Sequence, residues 1–372
     1  MNTKRDKHPY WIYETIMGAP ELLAENLEPH VLKQIDNVAD KIVEMNPEAM
    51  YFAGTGSSYM AAFAQSFGFN LLTDQPASSF MTSGLRVYTH RQLKENCVLV
   101  LNTHSGKSPL DIRMVEVAQS RGVYTVGVTD IEGTPFAKSV DATIIGPGGA
   151  KKEMPATRTY SSAIFRVLLL AIRYAQKKGS LYFANEYDEK LRRIPEFLRK
   201  FLDEYDKKVP EIVETISGYN AYYVIGAGPN IATALEGAMA LTQGTGMPSY
   251  GYDVVEYMHG PIQSLSKNCC VLSVIAPGPF RKQLVEFSKA AQKIGAKIVT
   301  VGVEDEDMPD GFDTRFIFPD AVPEVLTPII YCAPFWLLSY YFSLRTGRNP
   351  DTLSMEKDEF KASGLTELKK MM

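Results

Sequence analysis

Short apolar runs that end at a glycine or an asparagine recur along this chain, and stretches with helical spacing of apolar residues follow them. This alternation is typical of βαβ units, which build parallel sheets. It predicts an α/β fold with two doubly wound layers in tandem, each with five strands. The predicted strands cover residues 49–53, 77–81, 97–102, 123–128 and 142–146 in the first half, and 221–226, 247–250, 269–275, 297–302 and 315–318 in the second.

The two halves also resemble each other in sequence. The tetrapeptide Thr-Val-Gly-Val occurs at 125–128 and again at 300–303. Measured from Gly54 in the first half and Gly226 in the second, the two copies fall at almost the same distance. We interpret this as an internal duplication.

The pattern divides the chain into five parts. A leading helical segment comes first, and a stretch rich in Lys, Glu, Asp and Arg at helical spacing separates the two predicted sheets. The tail is polar and has no strand pattern. The predicted boundaries are 1–45 for the leading segment, 46–185 for the first domain, 186–216 for the connecting helices, 217–345 for the second domain and 346–372 for the tail.

Hydroxyl side chains mark two strand ends in the first half. The strand at 49–53 breaks into Gly54-Thr55-Gly56-Ser57-Ser58, and the strand at 97–102 is followed by Thr103-His104-Ser105-Gly106-Lys107-Ser108. A helix N-terminus after such a turn favours an anion, and ligands of open α/β sheets bind at the carboxyl ends of strands. The alternative is that these hydroxyls only cap helices. Two such turns in one sheet favour a phosphate site.

The matching breaks in the second half have almost no hydroxyls. They read Gly226-Ala227-Gly228-Pro229-Asn230 and Ala276-Pro277-Gly278-Pro279. We therefore expect the anion to bind in the first half.

Two other phosphate motifs do not fit. A dinucleotide fingerprint needs a third glycine where Tyr59 stands, and no acidic residue ends the second strand. A Walker A loop needs a glycine upstream of Gly106-Lys107-Ser108 that the chain lacks.

Composition narrows the class of protein. The net charge of -4 gives no basic footprint for nucleic acid, and the four cysteines form no CxxC pair, so we expect reduced core thiols. The polar N-terminus lacks a signal-peptide pattern, and the apolar stretches are too short or too interrupted to span a bilayer. We expect a soluble cytoplasmic protein with no nucleic-acid or membrane partner.

Five motifs in order resemble the sugar isomerase (SIS) domain family, with two flavodoxin-like SIS domains in tandem. The chain is similar to the isomerase domain of glucosamine-6-phosphate synthase and to fructosamine-6-phosphate deglycases and deaminases. The motifs are Gly56-Ser57-Ser58-Tyr59, residues 103–108, Ala156-Thr157-Arg158-Thr159-Tyr160, Ala234-Leu235-Glu236-Gly237-Ala238 and Glu256-Tyr257-Met258-His259-Gly260-Pro261.

The resemblance implies a division of roles among these motifs. It implies that the sugar phosphate is held by Ser57, Ser58, Thr103, His104, Ser105 and Ser108. Thr157 and Arg158 would contact the substrate, and Arg158 and Lys107 are candidate charge partners for a phosphate or a carboxylate, unless they are ordinary surface cations.

The resemblance also implies the catalytic residues. His259 would open the sugar ring, since imidazole titrates near neutrality. The family usually has a glutamate base where this chain has Gln243, and an amide cannot accept that proton. Glu256 or Glu236 would have to replace it, although either carboxylate can also be structural. Lys357 follows Arg348-Asn349-Pro350-Asp351, as in deglycase-like members, and would act on the sugar carbonyl when the tail closes over the site; a solvated surface lysine is the alternative.

These features predict an enzyme that cleaves the C–N bond of a 6-phosphorylated amino or glycated sugar. The reaction would proceed by ring opening and proton transfer between C1 and C2. A deglycase or deaminase is preferred over a synthase because no glutaminase region or N-terminal cysteine nucleophile is seen in the sequence. An aldose–ketose isomerase and a non-catalytic sugar-phosphate sensor stay open. No metal or organic cofactor is required, and the family resemblance implies a homodimer with shared active sites.

Overall fold

The computed structural model describes residues 5–305, 308, 311–352, 357–365 and 367. Contacts divide the chain into two compact units. The N-terminal unit contains Glu21–Lys151 and Arg158–Arg193, with the described residues from Lys357 onward. The C-terminal unit contains Lys152–Thr157 and the chain from Ile194 to Thr352, with the described residues up to Pro20. One of the boundaries between the units, after Arg193, falls inside a long helix that runs through Pro195.

Helices and strands alternate along most of the chain. The helices are α1 (Trp11–Met17), α2 (Ala19–Glu25), α3 (Pro29–Met45), α4 (Ser57–Leu72), α5 (Thr82–Gly84), α6 (Pro109–Gln119), α7 (Pro135–Ser139), α8 (Arg158–Lys177), α9 (Leu181–Tyr205), α10 (Val209–Thr215), α11 (Ile231–Thr245), α12 (Val254–Met258), α13 (Arg281–Ile294), α14 (Ala333–Arg345) and α15 (Asp358–Ala362). Short 3₁₀ segments lie at His90–Gln92, Gly228–Asn230, Pro261–Ser264 and Glu324–Ile329, and a π-helical turn lies at Leu85–Thr89.

The N-terminal unit is built on a parallel sheet with the strand order β2-β1-β3-β4-β5. The strands are β1 (Ala49–Gly54), β2 (Ala77–Met81), β3 (Cys97–Asn102), β4 (Tyr124–Thr129) and β5 (Ala142–Ile145). Strand β3 is buried along its whole length, as expected for a central strand covered on both faces. Ala53 pairs with Leu101, so β1 and β3 end side by side.

The C-terminal unit has a second parallel sheet with the order β10-β9-β8-β6-β7. Its strands are β6 (Ala221–Gly226), β7 (Ser249–Asp253), β8 (Cys269–Ile275), β9 (Lys297–Val303) and β10 (Thr314–Phe318). Counted from the strand that starts each half, the two sheets have the same connectivity. The predicted fold class, two tandem doubly wound parallel sheets, is confirmed.

The ten predicted strands all form, and one of them is displaced. The seventh was predicted at 247–250 and lies instead at Ser249–Asp253. Pro248 accounts for the shift, because proline has no N–H to donate within a strand. Its carbonyl accepts from Tyr222 N, and the ladder continues from Ser249.

Close packing in the C-terminal unit depends on glycines of α11. A Cβ at Gly237 would collide with the ring of Phe335, and one at Gly244 with the backbone of Ser339. Both contacts bring α11 against α14. The stretch Glu324–Arg345 is apolar and long enough for a membrane span, but 94% of its apolar window is buried inside the protein. We therefore interpret it as part of the core of the C-terminal unit.

Candidate functional site

The first hydroxyl-bearing turn joins β1 to α4. Gly54 lies so close to the backbone of Ser58 and Tyr59 that a Cβ there would collide with it, and Gly56 has φ +59, in the left-handed region that favours glycine. The amides of Tyr59 and Met60 donate to Gly56 O, which starts the helix. Ser57 and Ser58 are half-buried in the first turn of α4, where helix N-termini favour anions.

The second turn follows β3 and is tied to β4 and the loop after it. Thr103 N donates to Val128 O over 3.0 Å, and Thr129 Oγ1 donates to His104 O over 3.1 Å. Gly106 has φ +60 and leaves no room for a Cβ beside Thr134. These contacts hold the turn in one shape. Because β1 and β3 are neighbours, the two predicted turns come together at one edge of the sheet.

The hydroxyls of this second turn differ in exposure. Thr103 is buried, Ser108 is half-buried and Ser105 is exposed, as is Lys107. Ser108 Oγ accepts a hydrogen bond from Asp111 N, so the helix-capping role considered for it is present. A cap of this kind leaves the Ser108 O–H group as a donor.

Asp111 was missed by sequence reasoning, although the spacing Ser108-x-x-Asp111 is a capping-box signal. Its side chain is buried at the start of α6. Burial raises the pKa of the Asp111 carboxyl, and the nearby hydroxyls of Thr103, Ser108 and Thr82 oppose the rise. The carboxyl thus lies close to the groups predicted to hold the phosphate.

A buried charge chain lies behind His104. Its Nδ1 is 2.9 Å from Asp130 Oδ2, and Asp130 Oδ1 accepts from Arg166 Nη2 over 2.7 Å. Sequence reasoning missed Asp130 and Arg166. Two signals were available: Asp130 follows the end of β4 directly, and Arg166 is a single charge inside the apolar run Ala163–Ile172.

Thr157 and Arg158 lie where the loop after β5 meets α8. Thr157 is 2% exposed, and its Oγ1 makes no hydrogen bond within the described part of the chain. Arg158 is the first residue of α8 and is half-buried. Their predicted contacts with a substrate stay predictions.

The corresponding turns of the C-terminal unit have a different lining. A carboxylate that sequence reasoning missed, Glu324, lies beside Gly228 and so near Gly278 that a Cβ there would collide with it. Burial raises the pKa of Glu324 to about 7. Among the described residues, its side chain makes no hydrogen bond or ion pair. A carboxyl group that becomes negative as the pH rises through about 7 therefore stands at this edge of the second sheet.

The catalytic residues that the sequence predicted in the C-terminal unit lie on two helices. Glu256 and His259 are exposed at α12, which Asp253 caps, and His259 Nδ1 is 2.8 Å from Val255 O. That carbonyl can only accept, so Nδ1 carries a proton and Nε2 stays available. Glu236 is 1% exposed and Gln243 half-buried on α11. Seven helical residues, about 10 Å of axial rise, separate these two positions.

The tail contributes to the fold of the C-terminal unit before it reaches Lys357. Asp351 accepts hydrogen bonds from Trp11 N and Ile12 N and so caps α1, while Asn349 Nδ2 donates to Arg5 O. Lys357 itself is exposed just before α15. Closure of the tail over a site stays a prediction.

Comparison with known proteins decides the family of the first half. Residues 45–173 match the SIS domain family. This stretch of the chain is similar to an SIS domain. The resemblance predicted from the motifs is thereby confirmed.

Relatives of known name extend beyond that domain. The chain is 26% identical over 319 residues to the glutamine–fructose-6-phosphate aminotransferase (isomerizing) of Methanothermobacter thermautotrophicus. The aligned region covers 86% of this chain and 52% of that protein. The chain thus spans about half the length of this relative.

Solved structures share the fold of the whole chain. The C-terminal domain of glucosamine-fructose-6-phosphate aminotransferase from Francisella tularensis superposes with a TM-score of 0.83 at 18% identity, covering 94% of this chain and 99% of that one. Tagatose-6-phosphate ketose/aldose isomerase from Escherichia coli gives 0.80 at 16% identity, with 92% and 96% covered. At such identities these likenesses show the fold alone.

Proposed function

We propose that this SIS protein is an enzyme that cleaves the C–N bond of a 6-phosphorylated amino or glycated sugar. The observation that carries the proposal is the pair of adjacent hydroxyl-bearing turns at the carboxyl edge of the first sheet. Helix N-termini, hydroxyls and a glycine-shaped backbone are the groups that bind a phosphate. The aminotransferase relative supports a phosphosugar carrying nitrogen.

In this proposal the phosphate is held by Ser57, Ser58, Thr103, Ser105 and Ser108, with Thr157 and Arg158 contacting the rest of the substrate. His259 protonates the ring oxygen and opens the ring. Its hydrogen bond to Val255 O supports this role, because it leaves Nε2 to exchange the proton.

The chemical step moves a proton between C1 and C2. In a fructosamine 6-phosphate, C1 and the nitrogen each lose a proton while C2 and its oxygen each gain one, which turns the C1 amine into an imine and the C2 carbonyl into a hydroxyl. Water then cleaves the imine to the free amine and a hexose 6-phosphate. Gln243 cannot accept the proton, so we assign that task to Glu256 or Glu236 and assist it with Lys357 at the carbonyl oxygen.

Purified protein is incubated with fructosamine 6-phosphates and with glucosamine 6-phosphate, and free amine and hexose phosphate are assayed separately. Release of both products supports C–N cleavage. Hexose phosphate interconversion without amine release indicates an aldose–ketose isomerase instead. Tight binding with no turnover of any substrate would sink the enzyme proposal and leave a sensor, which the amide at Gln243 favours.

Site variants test the assignments with a matched control. Ser108→Ala lies at the first turn of α6, and exposed Ser120→Ala lies at the other end of the same helix. We expect the first to weaken phosphosugar binding and the second to leave it unchanged. His259→Ala should lower kcat, and full activity in that variant would refute the ring-opening role.

We further propose that the protein works in the cytoplasm as a homodimer whose active sites draw His259 from the partner subunit. Mixing Ser58→Ala subunits with His259→Ala subunits tests the sharing. If sites are shared, random pairing restores about a quarter of the wild-type activity, because half of the dimers regain one intact site. If each subunit is self-sufficient, no activity returns.

A further inference from the structure

His104 belongs to a line of three charged or titratable side chains that runs from the second turn into the interior of the N-terminal unit. The side chain of His104 is 19% exposed, that of Asp130 2% and that of Arg166 1%. Only the imidazole reaches the surface. Its Nδ1 faces Asp130, and no described protein group is hydrogen-bonded to its Nε2.

Arg166 fixes Asp130 firmly. The guanidinium donates to Thr129 O over 2.8 Å, to Ile144 O over 3.1 Å and to Ser162 O over 3.2 Å, besides its bond to the carboxylate. Position 146, directly after β5, has to be glycine, because a Cβ at Gly146 would overlap the side chains of Arg166 and Asp130. The pair is therefore built into the backbone around it.

Asp130 stays ionised in this setting. Burial alone would raise the pKa of its carboxyl, but the Arg166 charge and the His104 hydrogen bond outweigh burial and hold the pKa below its ordinary value. An ionised carboxylate accepts hydrogen bonds and donates none. The proton shared with His104 must therefore come from the imidazole Nδ1.

We infer that His104 meets the bound sugar in one tautomer, with Nδ1–H on Asp130 and Nε2 accepting a hydrogen bond from a sugar hydroxyl. This inference rests on the proposed function, because it concerns the same phosphosugar site.

This tautomer changes what His104 recognises. The lone pair on Nε2 would repel a phosphate oxygen, whereas it attracts a hydroxyl hydrogen. The backbone N–H of His104 is a donor and can still bind a phosphate oxygen. We therefore separate the imidazole from the phosphate contacts and make it a specificity-determining group for the sugar, with Asp130 and Arg166 as positioning residues.

Nitrogen-15 NMR of histidine-labelled protein at pH 8 tests the tautomer directly. The five histidines are few enough that a His104→Gln spectrum assigns the His104 signals by difference. We expect a protonated Nδ1 and an unprotonated Nε2. A protonated Nε2, in either the neutral or the charged ring, would overturn the inference.

Binding of inorganic phosphate and of glucosamine 6-phosphate gives a second readout. His104→Ala should weaken the phosphosugar by about three- to tenfold and change inorganic phosphate less than twofold. His104→Gln, which offers an amide oxygen, should recover part of the loss. Ser105→Ala should weaken both ligands by one common factor. An equal loss of both ligands in His104→Ala would refute the hydroxyl assignment.

Asp130→Asn tests positioning. The amide can donate to Nδ1, so the imidazole should switch to the Nε2–H tautomer and lose phosphosugar affinity while keeping phosphate affinity. A merely structural Asp130 would leave the tautomer unchanged. If this variant does not fold, the wild-type spectrum and the His104 variants still decide the inference. If neither probe binds wild-type protein, the proposed function fails, while the spectrum alone still tests the tautomer.

Discussion

Replacing Glu324 by glutamine is expected to stabilise the C-terminal unit at alkaline pH and to change it little at acidic pH. The carboxylate lies against Gly228 and Gly278 at the edge of the second sheet, and burial raises its pKa to about 7. No described side chain pairs with it. Ionisation of Glu324 therefore costs stability that a neutral amide of the same shape does not lose.

The size of the effect follows from the pKa. An acid whose pKa is higher in the folded state stabilises the fold fully below its unfolded value, and this contribution is lost as the pH rises through the folded value. The rise from the ordinary 4.5 to about 7 corresponds to about 3.4 kcal/mol. Glu324 is partly exposed, and solvent screening reduces this to roughly 1–2.5 kcal/mol between pH 5 and pH 8.5.

Differential scanning calorimetry at pH 5 and pH 8.5 measures the effect of Glu324→Gln on stability. For a unit of this size, Glu324→Gln should raise Tm by about 2–6 °C at pH 8.5 and by much less at pH 5. Exposed Glu211→Gln in the same unit is the matched control, and its effect should not depend on pH. An equal Tm gain at both pH values, or a loss at pH 8.5, would refute the reasoning.

Three further substitutions test other parts of the structure. Gly106→Ala should destabilise the N-terminal unit by more than about 1 kcal/mol beyond Gly133→Ala, because both glycines have positive φ but only Gly106 lacks space for a Cβ. Only Gly106→Ala should also weaken phosphate binding. Calorimetry and phosphate titration of the two variants measure these differences. Asp351→Ala should cost about 0.5–2 kcal/mol by uncapping the first helix, and equal stability in urea unfolding would contradict the cap. Arg166→Met should cost about 3–5 kcal/mol, and adding Asp130→Asn should recover part of that loss in the same assay, whereas additive losses would argue against a buried ion pair.

Local pattern was enough to predict the fold. Most strands are short apolar runs, and β1, β3, β5 and β6 end at or directly before a glycine or an asparagine, so the local sequence pattern located all ten strands. The one displaced strand shows the limit of that signal. Apolar character at Met247 extended the prediction too early, and the missing N–H of Pro248 sets the true start.

The two hydroxyl-bearing turns could be predicted for the same reason, since each is a continuous stretch of chain. The residues around them could not. His104 and Asp130 are 26 positions apart, and Arg166 is a further 36 positions away, so that only the folded sheet brings them together. Glu324 is still farther from Gly228 along the chain, at 96 positions. Such pairings have no spacing rule, and a single sequence holds at most the hint of a charge in an apolar run.

The two halves of the chain differ in the charges near their turns as well as in the number of hydroxyls. In the N-terminal unit the buried carboxylate of Asp130 is balanced by Arg166, and burial raises the pKa of the Asp111 carboxyl, which favours its uncharged form beside the turn. In the C-terminal unit the carboxylate of Glu324 has no such partner among the described residues and stands where a phosphate would have to approach. An anion at the second turn would meet a like charge once Glu324 is ionised. We propose that a phosphate binds in the N-terminal unit, because the loss of hydroxyls and the presence of Glu324 both oppose anion binding at the corresponding turns of the C-terminal unit.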